Sequence, residues 1–308
     1  MAPPKGVSGP LAFDSQEGDR YNGRRRCLGI VIQTHEEADS YRLGAVPYLN
    51  GKPLIYDLEQ TPRPNVTLSK AVPALLRQRL RDGELDAALV SSITSLEDGT
   101  LYAIPGLGVS SRGAIDSVRL FCKTAPQRLR RVALDAGSRT SAALIRILLP
   151  ECFGVEPEYI TAPPDLATML EEADGALLIG DPAMRAYYLG SWPREELQVL
   201  DLGELWFRLT GLPFVWAVWA VRPEVKMAPL IALLRQAWEV GRNYLDAIAT
   251  STSEQLGLPL AVCRNYLYRI MKYDLGEQEW EGLRRFQALG KRHGVIPADA
   301  PPLTIVSP

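Results

Sequence analysis

The stretch PALLRQRLRDGELDAALVSS, residues 73–92, decides the fold class of this chain. Pro73 opens a helical pattern that ends near Gly83, and a buried-type strand at residues 85–90 follows at once. An apolar segment at residues 41–46 has the pattern of an earlier strand. The order strand, helix, strand predicts a parallel sheet with helices on its faces.

The same alternation returns further along the chain. Strands are predicted at residues 131–134 and 176–179, and helices at residues 140–149 and 182–189. This second alternation again predicts parallel strands with helices on their faces. After about residue 228 apolar side chains recur at helical spacing, which predicts a helical C-terminal region.

Two further strands, at residues 117–122 and 213–221, are interpreted as crossovers between two lobes. The first lobe is then discontinuous and comprises residues 41–123 and 214–308, with the C-terminal helices on it. The second lobe comprises residues 124–213. A length of 308 residues suits this division, because about 150 residues is typical of one domain.

Composition excludes several classes of function. With 34 basic and 36 acidic residues the formal net charge is −2, which argues against nucleic-acid partners and a polybasic membrane patch. The longest apolar stretches are far shorter than the ~20 residues of a membrane-spanning helix, so we expect a soluble protein. The 4 cysteines form no CxxC pair and are expected to be reduced core thiols. The 2 histidines, His35 and His293, lie near the chain ends, which argues against a His-ligated metal or a catalytic triad.

Residues 1 to about 40 differ from the rest of the chain. Proline and glycine give way to a charged run and then to a short apolar run at residues 27–32. Six residues are fewer than the usual ~7–15 of a signal peptide, and no small-residue cleavage site follows. We expect a poorly ordered leader and a cytoplasmic protein, the alternatives being export or an extra edge strand at residues 27–32.

Candidate binding residues follow the strand ends, where open α/β sheets bind their ligands. Segment 138–141 leads from a strand into a helix, and its hydroxyls suit either a carboxylate site or a plain helix cap. Asn50 precedes a glycine and suits either a turn or a functional site. Asp181 is most simply a helix cap before Pro182. No GxGxxG or GxxxxGK[ST] motif occurs, so nucleotide binding has little support.

The motif GAVPYLNGKPL, residues 44–54, resembles the opening motif of the chorismate dehydratases of menaquinone biosynthesis. Further blocks agree in order, at residues 113–118, 138–141, 178–181 and from 201 to 214. The resemblance covers about residues 41–297. It implies a two-lobed fold like that of type II periplasmic binding proteins, with mixed sheets flanked by helices and a ligand cleft between the lobes.

The resemblance also implies an activity, in which chorismate loses water to give 3-[(1-carboxyvinyl)oxy]benzoate in the futalosine route, with no cofactor. Asn50 and Ser117 carry over as catalytic residues by their motif positions. The predicted substrate-binding residues are Ser91, Ser111, Gly113, Ser138, Arg139, Thr140, Ser141 and Asp181. Two alternatives stay open: a 1,4-dihydroxy-6-naphthoate synthase of the same route, and a non-catalytic binding protein for a small carboxylate. The sequence does not decide whether the chain forms a homodimer.

Overall fold

The structure is a computed structural model that describes residues 39–97, 99–190 and 197–306. Apart from its last two residues, the leader expected at residues 1–40 lies outside these ranges, as does the alternative edge strand at residues 27–32. A compact unit begins at Asp39 and takes in the rest of the chain.

The described residues form eleven strands and eleven α-helices in two sheets flanked by helices, which confirms the expected α/β class. The strands are β1 (Tyr41–Ala45), β2 (Val66–Lys70), β3 (Ala87–Ser91), β4 (Tyr102–Ser111), β5 (Val118–Cys122), β6 (Arg131–Asp135), β7 (Glu158–Ala162), β8 (Gly175–Ile179), β9 (Gln198–Asp201), β10 (Phe214–Val221) and β11 (Thr304–Ile305). The helices are α1 (Lys52–Gln60), α2 (Pro73–Arg81), α3 (Ser92–Glu97), α4 (Thr140–Phe153), α5 (Leu166–Glu172), α6 (Gly180–Leu189), α7 (Leu202–Thr210), α8 (Met227–Gly241), α9 (Leu245–Leu256), α10 (Leu260–Asn265) and α11 (Glu277–Arg292).

The first sheet has six strands in the order β11-β4-β10-β3-β1-β2. Strand β1 runs parallel to β2 and β3, as the strand, helix, strand pattern predicts. Strand β10 lies between β3 and β4 and runs antiparallel to both. All its residues are buried, since β10 lies in the interior of the sheet and α3, α7 and α11 pack against it.

The second sheet has five strands in the order β7-β6-β8-β5-β9. Strand β6 is parallel to β7 and β8, whereas β5 is antiparallel to β8 and β9. The segment that we expected to end the first lobe at residue 123 therefore supplies a strand to the second sheet. The sequence pattern of β5 predicts a strand but does not indicate which strands it pairs with. The lobe limits at residues 123 and 214 remain a prediction.

The core between the sheets and the C-terminal helices is aromatic. The rings of Trp206, Phe214 and Phe286 meet edge to face, with centroids 4.9–6.2 Å apart. They join α7, β10 and α11, so that the C-terminal region packs on the first sheet.

The expectation that the cysteines are core thiols is wrong at one position. Cys122 and Cys263 are buried, but Cys152 is exposed because it lies in the last turn of α4 on the side facing solvent. Cys27 is outside the described residues. In the part of the chain that the structure describes, none of the helices is long and apolar enough to cross a membrane.

Candidate functional site

A cavity lies where the ends of strands from both sheets meet, and the space not filled by protein atoms there is about 660 Å³, part of it open to solvent. The first sheet contributes residues at the ends of β1 and β3 and within β4 and β10. The second sheet contributes the start of β5, the end of β8 and the N-terminus of α4. Among the predicted site residues, those that line the cavity are Asn50, Ser91, Ser117, Ser138, Arg139, Thr140 and Ser141.

The N-terminus of α4 faces this cavity without a side-chain cap. The N-cap residue Arg139 makes no capping hydrogen bond, and the Ser138 hydroxyl is buried without a hydrogen-bond partner. The Thr140 hydroxyl accepts a hydrogen bond from the Ile93 backbone N–H at 3.3 Å, so its own proton is still available to a ligand. The interpretation of segment 138–141 as a plain cap therefore fails, and free N–H groups and hydroxyls converge as an anion would require.

The Arg139 guanidinium lies at the edge of the cavity and is partly neutralised. Its Nη2 lies 2.5 Å from the Glu97 carboxylate, which also receives Arg77 Nη2 at 3.1 Å. Because the Glu97 carboxylate already binds the Arg139 guanidinium, hydroxyls and backbone N–H groups supply most of the hydrogen-bond donors that a ligand would contact.

Asn50 projects into the cavity from a 3₁₀ turn, Leu49–Gly51, directly after β1. Its side-chain amide makes no hydrogen bond to another described residue, so both its donors and its acceptor are available to a ligand. The turn is held in place from the second sheet, since the Leu49 backbone N–H donates to Asp181 Oδ1 at 3.3 Å.

Ser117 stands at the start of β5 and is only 1% exposed. Its hydroxyl lies 2.7 Å from the Tyr266 hydroxyl, and its carbonyl accepts from the Gly180 N–H at 2.7 Å. The side chain is therefore fixed between the second sheet and the C-terminal region while still lining the cavity.

The remaining predicted site residues lie behind the cavity wall. The Ser111 hydroxyl accepts from Trp216 Nε1 at 3.0 Å and donates to the Gly113 carbonyl at 3.3 Å, which uses both its proton and an acceptor site. Gly113 has φ +85° and approaches Gly203 closely. Asp181 accepts from Leu49 and does not cap α6, whose N-cap is Ile179. These three residues support the site and do not line it.

A carboxylate that the sequence did not single out anchors the turn before Ser117. Asp201 accepts from the N–H groups of Ile115, Asp116 and Gly203 at 2.8–2.9 Å and from that of Glu204 at 3.1 Å. Burial raises the pKa of Asp201, and these backbone hydrogen bonds oppose the rise. Asp201 begins one of the sequence blocks that carry the family resemblance, and Asp is a residue type favoured as a helix N-cap, so both signals could have indicated it.

Asp116, the neighbour of Ser117, adopts a left-handed conformation with φ 64°. Its carboxylate binds Arg119 Nη2 at 2.7 Å and the Tyr188 hydroxyl at 2.8 Å, and the Arg119 guanidinium lies 3.5 Å from the centroid of the Tyr187 ring. Asp is one of the few residue types that tolerate this conformation, and the three contacts fix the backbone at Ser117.

Two aromatic side chains that were not among the predicted site residues line the cavity, Tyr48 and Trp216. Tyr48 belongs to the opening motif, and Trp216 belongs to the β10 strand, so both could have been considered. Ser92 follows Ser91 in sequence but is fully buried, and its hydroxyl has no partner. Ser91 is therefore the serine of this pair that lines the cavity.

The cavity lining is poor in groups that could act as a base. Among the described lining residues none is Asp, Glu, His, Lys or Cys. Burial raises the pKa of Tyr48, and the nearby Asp135 and Asp181 raise it further, so its phenol stays protonated near neutral pH. Nor do the described residues include a group of three or more His, Cys, Asp or Glu side chains that could hold a metal ion.

Comparison with known proteins agrees with this architecture. A family described as "Menaquinone biosynthesis" matches residues 41–292. The chorismate dehydratase of Thermus thermophilus is 38% identical over 264 residues, which span 81% of this chain and 95% of the relative.

Two solved structures show the fold. Protein AF1704 from Archaeoglobus fulgidus superimposes with a TM-score of 0.69 at 17% identity, covering 84% of this chain and 100% of that one. The periplasmic aliphatic sulphonate binding protein SsuA from Escherichia coli gives a TM-score of 0.60 at 16% identity, covering 88% and 94%. The expected fold like that of periplasmic binding proteins is thereby confirmed.

Proposed function

This chain belongs to the menaquinone-biosynthesis family, and from that premise we propose that it is a chorismate dehydratase, a hydro-lyase that converts chorismate to 3-[(1-carboxyvinyl)oxy]benzoate. The observation that carries the proposal is the uncapped N-terminus of α4 at the cavity, beside the unpartnered hydroxyl of Ser138. This arrangement suits a small carboxylate substrate better than a nucleotide, because it lacks a phosphate-binding glycine loop.

The reaction removes the proton on C3 and the hydroxyl on C4 of chorismate, after which the ring becomes aromatic. C3 is attached to the C1=C2 double bond, and C1 bears the ring carboxylate. The negative charge left when the C3 proton departs is therefore delocalised onto that carboxylate. Backbone N–H groups at α4 and the hydroxyls of Ser138, Thr140 and Ser141 would stabilise this charge where it accumulates.

Asn50 and Ser117 are the proposed catalytic residues. A neutral amide cannot act as a base near pH 7, so Asn50 would orient the substrate or donate to the departing hydroxyl. Ser117 would hydrogen-bond an oxygen of the substrate. No carboxylate, imidazole, amine or thiol lines the cavity among the described residues, so the enolpyruvyl carboxylate of the substrate itself is the proposed base. Well-oriented groups reach effective molarities on the order of 10⁵ M or more, which makes an internal base sufficient.

The test is to incubate purified protein with chorismate, without added metal or cofactor, and to follow products by chromatography with mass detection. A product lighter by one water, with the mobility of the carboxyvinyloxy benzoate, is expected. Intact chorismate in the presence of folded protein would contradict the proposal. Chorismate that binds without reacting would then favour a binding protein, whereas turnover of the naphthoate precursor would favour the sister synthase.

The proposal extends to the futalosine route, so a strain that lacks the gene should regain menaquinone when supplied with 3-[(1-carboxyvinyl)oxy]benzoate. We also propose a cytoplasmic location, and cell fractionation should then recover the protein in the cytoplasmic fraction. Light scattering on the same preparation distinguishes a monomer from a homodimer.

A further inference from the structure

The hydroxyl of Ser117 has the hydroxyl of Tyr266 as its hydrogen-bond partner. The two oxygen atoms lie 2.7 Å apart, and the side chains come from segments separated by 149 residues. Tyr266 is 1% exposed and begins a π-helical segment, Tyr266–Ile270, directly after α10. Such segments are rare and often accompany functional sites.

The direction of this hydrogen bond follows from the partners that each hydroxyl has. Among the described residues, Ser117 is the only hydrogen-bond partner of the Tyr266 hydroxyl. A buried donor without an acceptor is unfavourable, so the phenol proton is directed at Ser117 Oγ. Burial raises the pKa of Tyr266 above its ordinary value, and the phenol keeps its proton throughout the physiological range.

The proton of the Ser117 hydroxyl is then free to be donated to a ligand. Ser117 lines the cavity, and its hydroxyl has no second partner among the described residues. With one oxygen lone pair occupied by Tyr266, the remaining proton is available to an acceptor in the cavity. Ionised carboxylates and the oxygen of a departing hydroxyl are acceptors of this kind.

We propose that Tyr266 is a positioning residue that commits Ser117 to donate its proton to an oxygen of the bound substrate. Without the phenol, the serine hydroxyl could rotate and present a lone pair to an anionic substrate oxygen, which is repulsive. This inference rests on the proposed chorismate dehydration, and it adds to the site a residue that no motif identified.

The test is a double-mutant cycle with Tyr266→Phe and Ser117→Ala, because coupled residues give non-additive effects. Tyr266→Phe is expected to lower kcat about tenfold with a smaller change in KM, the size of one hydrogen bond lost in the transition state. In the Ser117→Ala background the same substitution should change kcat less than about twofold. A loss of packing would reduce the rate in both backgrounds.

Tyr273→Phe is the matched control. Tyr273 lies three residues after this segment and is also buried, but its hydroxyl has no hydrogen-bond partner among the described residues. Its substitution should leave kcat unchanged. Thermal unfolding of all variants checks that each is folded. Wild-type kcat in Tyr266→Phe, an equal loss in both backgrounds, or an equal loss in Tyr273→Phe would overturn the inference.

A wild-type chain that does not dehydrate chorismate would contradict the proposed function but not this inference. The same variants are then compared by their Kd for chorismate, and the same non-additive pattern is expected. If chorismate does not bind at all, Ser117 has no substrate oxygen to which it could donate. Both the proposed dehydration and the positioning role of Tyr266 would then be wrong.

Discussion

At the scale of the residue, Asn50 is the side chain with the most specific expectation. Its amide lines the cavity and has no hydrogen-bond partner among the described residues, so its removal leaves no unsatisfied group in the protein. Asn50→Ala should therefore lower kcat for chorismate about 100-fold, as expected when a donor to developing charge is lost. The melting temperature should stay within about 2 °C of the wild type, the change typical of a substitution that breaks no protein contact.

Asn243→Ala is the control for this change. Asn243 is exposed, and its amide donates to the Glu239 carbonyl away from the cavity. Its substitution should leave kcat unchanged. Near-normal turnover by an Asn50→Ala protein that still binds chorismate would remove Asn50 from the mechanism.

The choice between neighbouring residues shows where sequence reasoning reaches its limit. Two serines follow the same predicted strand, and of these Ser91 lines the cavity while Ser92 is fully buried. Ser91 is the last residue of β3 and Ser92 is the first residue of α3, so the chain passes from the cavity to the core within one residue. Ser111 and Asp181 do not line the cavity, and their partners Trp216 and Leu49 lie far away in the chain, where no local pattern indicates them.

At the scale of the element, periodicity predicted helices and strands well because it reflects local burial. Strand β1 and helices α2 and α4 begin where the patterns place them. The pairing of β5 with β8 and β9 could not be predicted, since strand partners depend on the path of the whole chain. The hydrogen bonds from the N–H groups of Ile115 and Asp116 to Asp201 could not be predicted either, since they join residues 86 and 85 positions apart.

Helix α8 passes so close to α1 that its last residue must be glycine. A Cβ added at Gly241 would lie 1.9 Å from the Pro53 carbonyl oxygen, which is backbone and cannot turn aside. Gly241→Ala should therefore destabilise the protein by about 3 kcal/mol despite the higher helix propensity of alanine. Chemical denaturation measures the loss.

Gly290→Ala in α11 provides the comparison. Its added Cβ would meet the Cδ1 and Cγ1 atoms of Ile296 at 2.6 and 2.9 Å, and this side chain can shift where a backbone carbonyl cannot. We expect a loss of about 1 kcal/mol, smaller than that of Gly241→Ala, because the gain in helix propensity offsets part of the adjustment. Equal destabilisation by both substitutions would show that the contact of α8 with α1 is not the cause.

An ion pair between Arg42 in β1 and Asp86, the residue before β3, makes stability depend on pH. Burial alone would raise the pKa of Asp86, but hydrogen bonds from the Arg42 guanidinium and N–H lower it below its ordinary value. A carboxyl with a lower pKa in the folded state adds stability above its unfolded pKa of about 3.9, and this is lost as pH falls through the folded pKa. Between pH 6 and pH 3 the free energy of unfolding should fall less in Asp86→Asn than in the wild type. Parallel pH profiles would show that Asp86 contributes nothing to this dependence.

At the scale of the whole molecule, the cavity is lined from both sheets, so a ligand should stabilise the entire compact unit. The dehydrated product at 100 times its Kd is expected to raise the free energy of unfolding by about 2.7 kcal/mol. Ser141→Ala, which removes a lining hydroxyl with no hydrogen bond to another described residue, should weaken binding and reduce the rise at the same concentration. Benzoate is the control, and an equal effect of benzoate would mean that the cavity does not recognise the second carboxylate.

The position of β10 has a consequence for how the chain is built during translation. All strands of the second sheet lie within residues 118–201, whereas the first sheet needs β10, Phe214–Val221, to join β3 to β4. On the ribosome the second sheet can therefore form before the first is complete. The edges of β3 and β4 stay unpaired until β10 has been synthesised, about a hundred residues after β4. Exposed strand edges are where nascent chains aggregate, so β3 and β4 are the segments that a chaperone would have to shield.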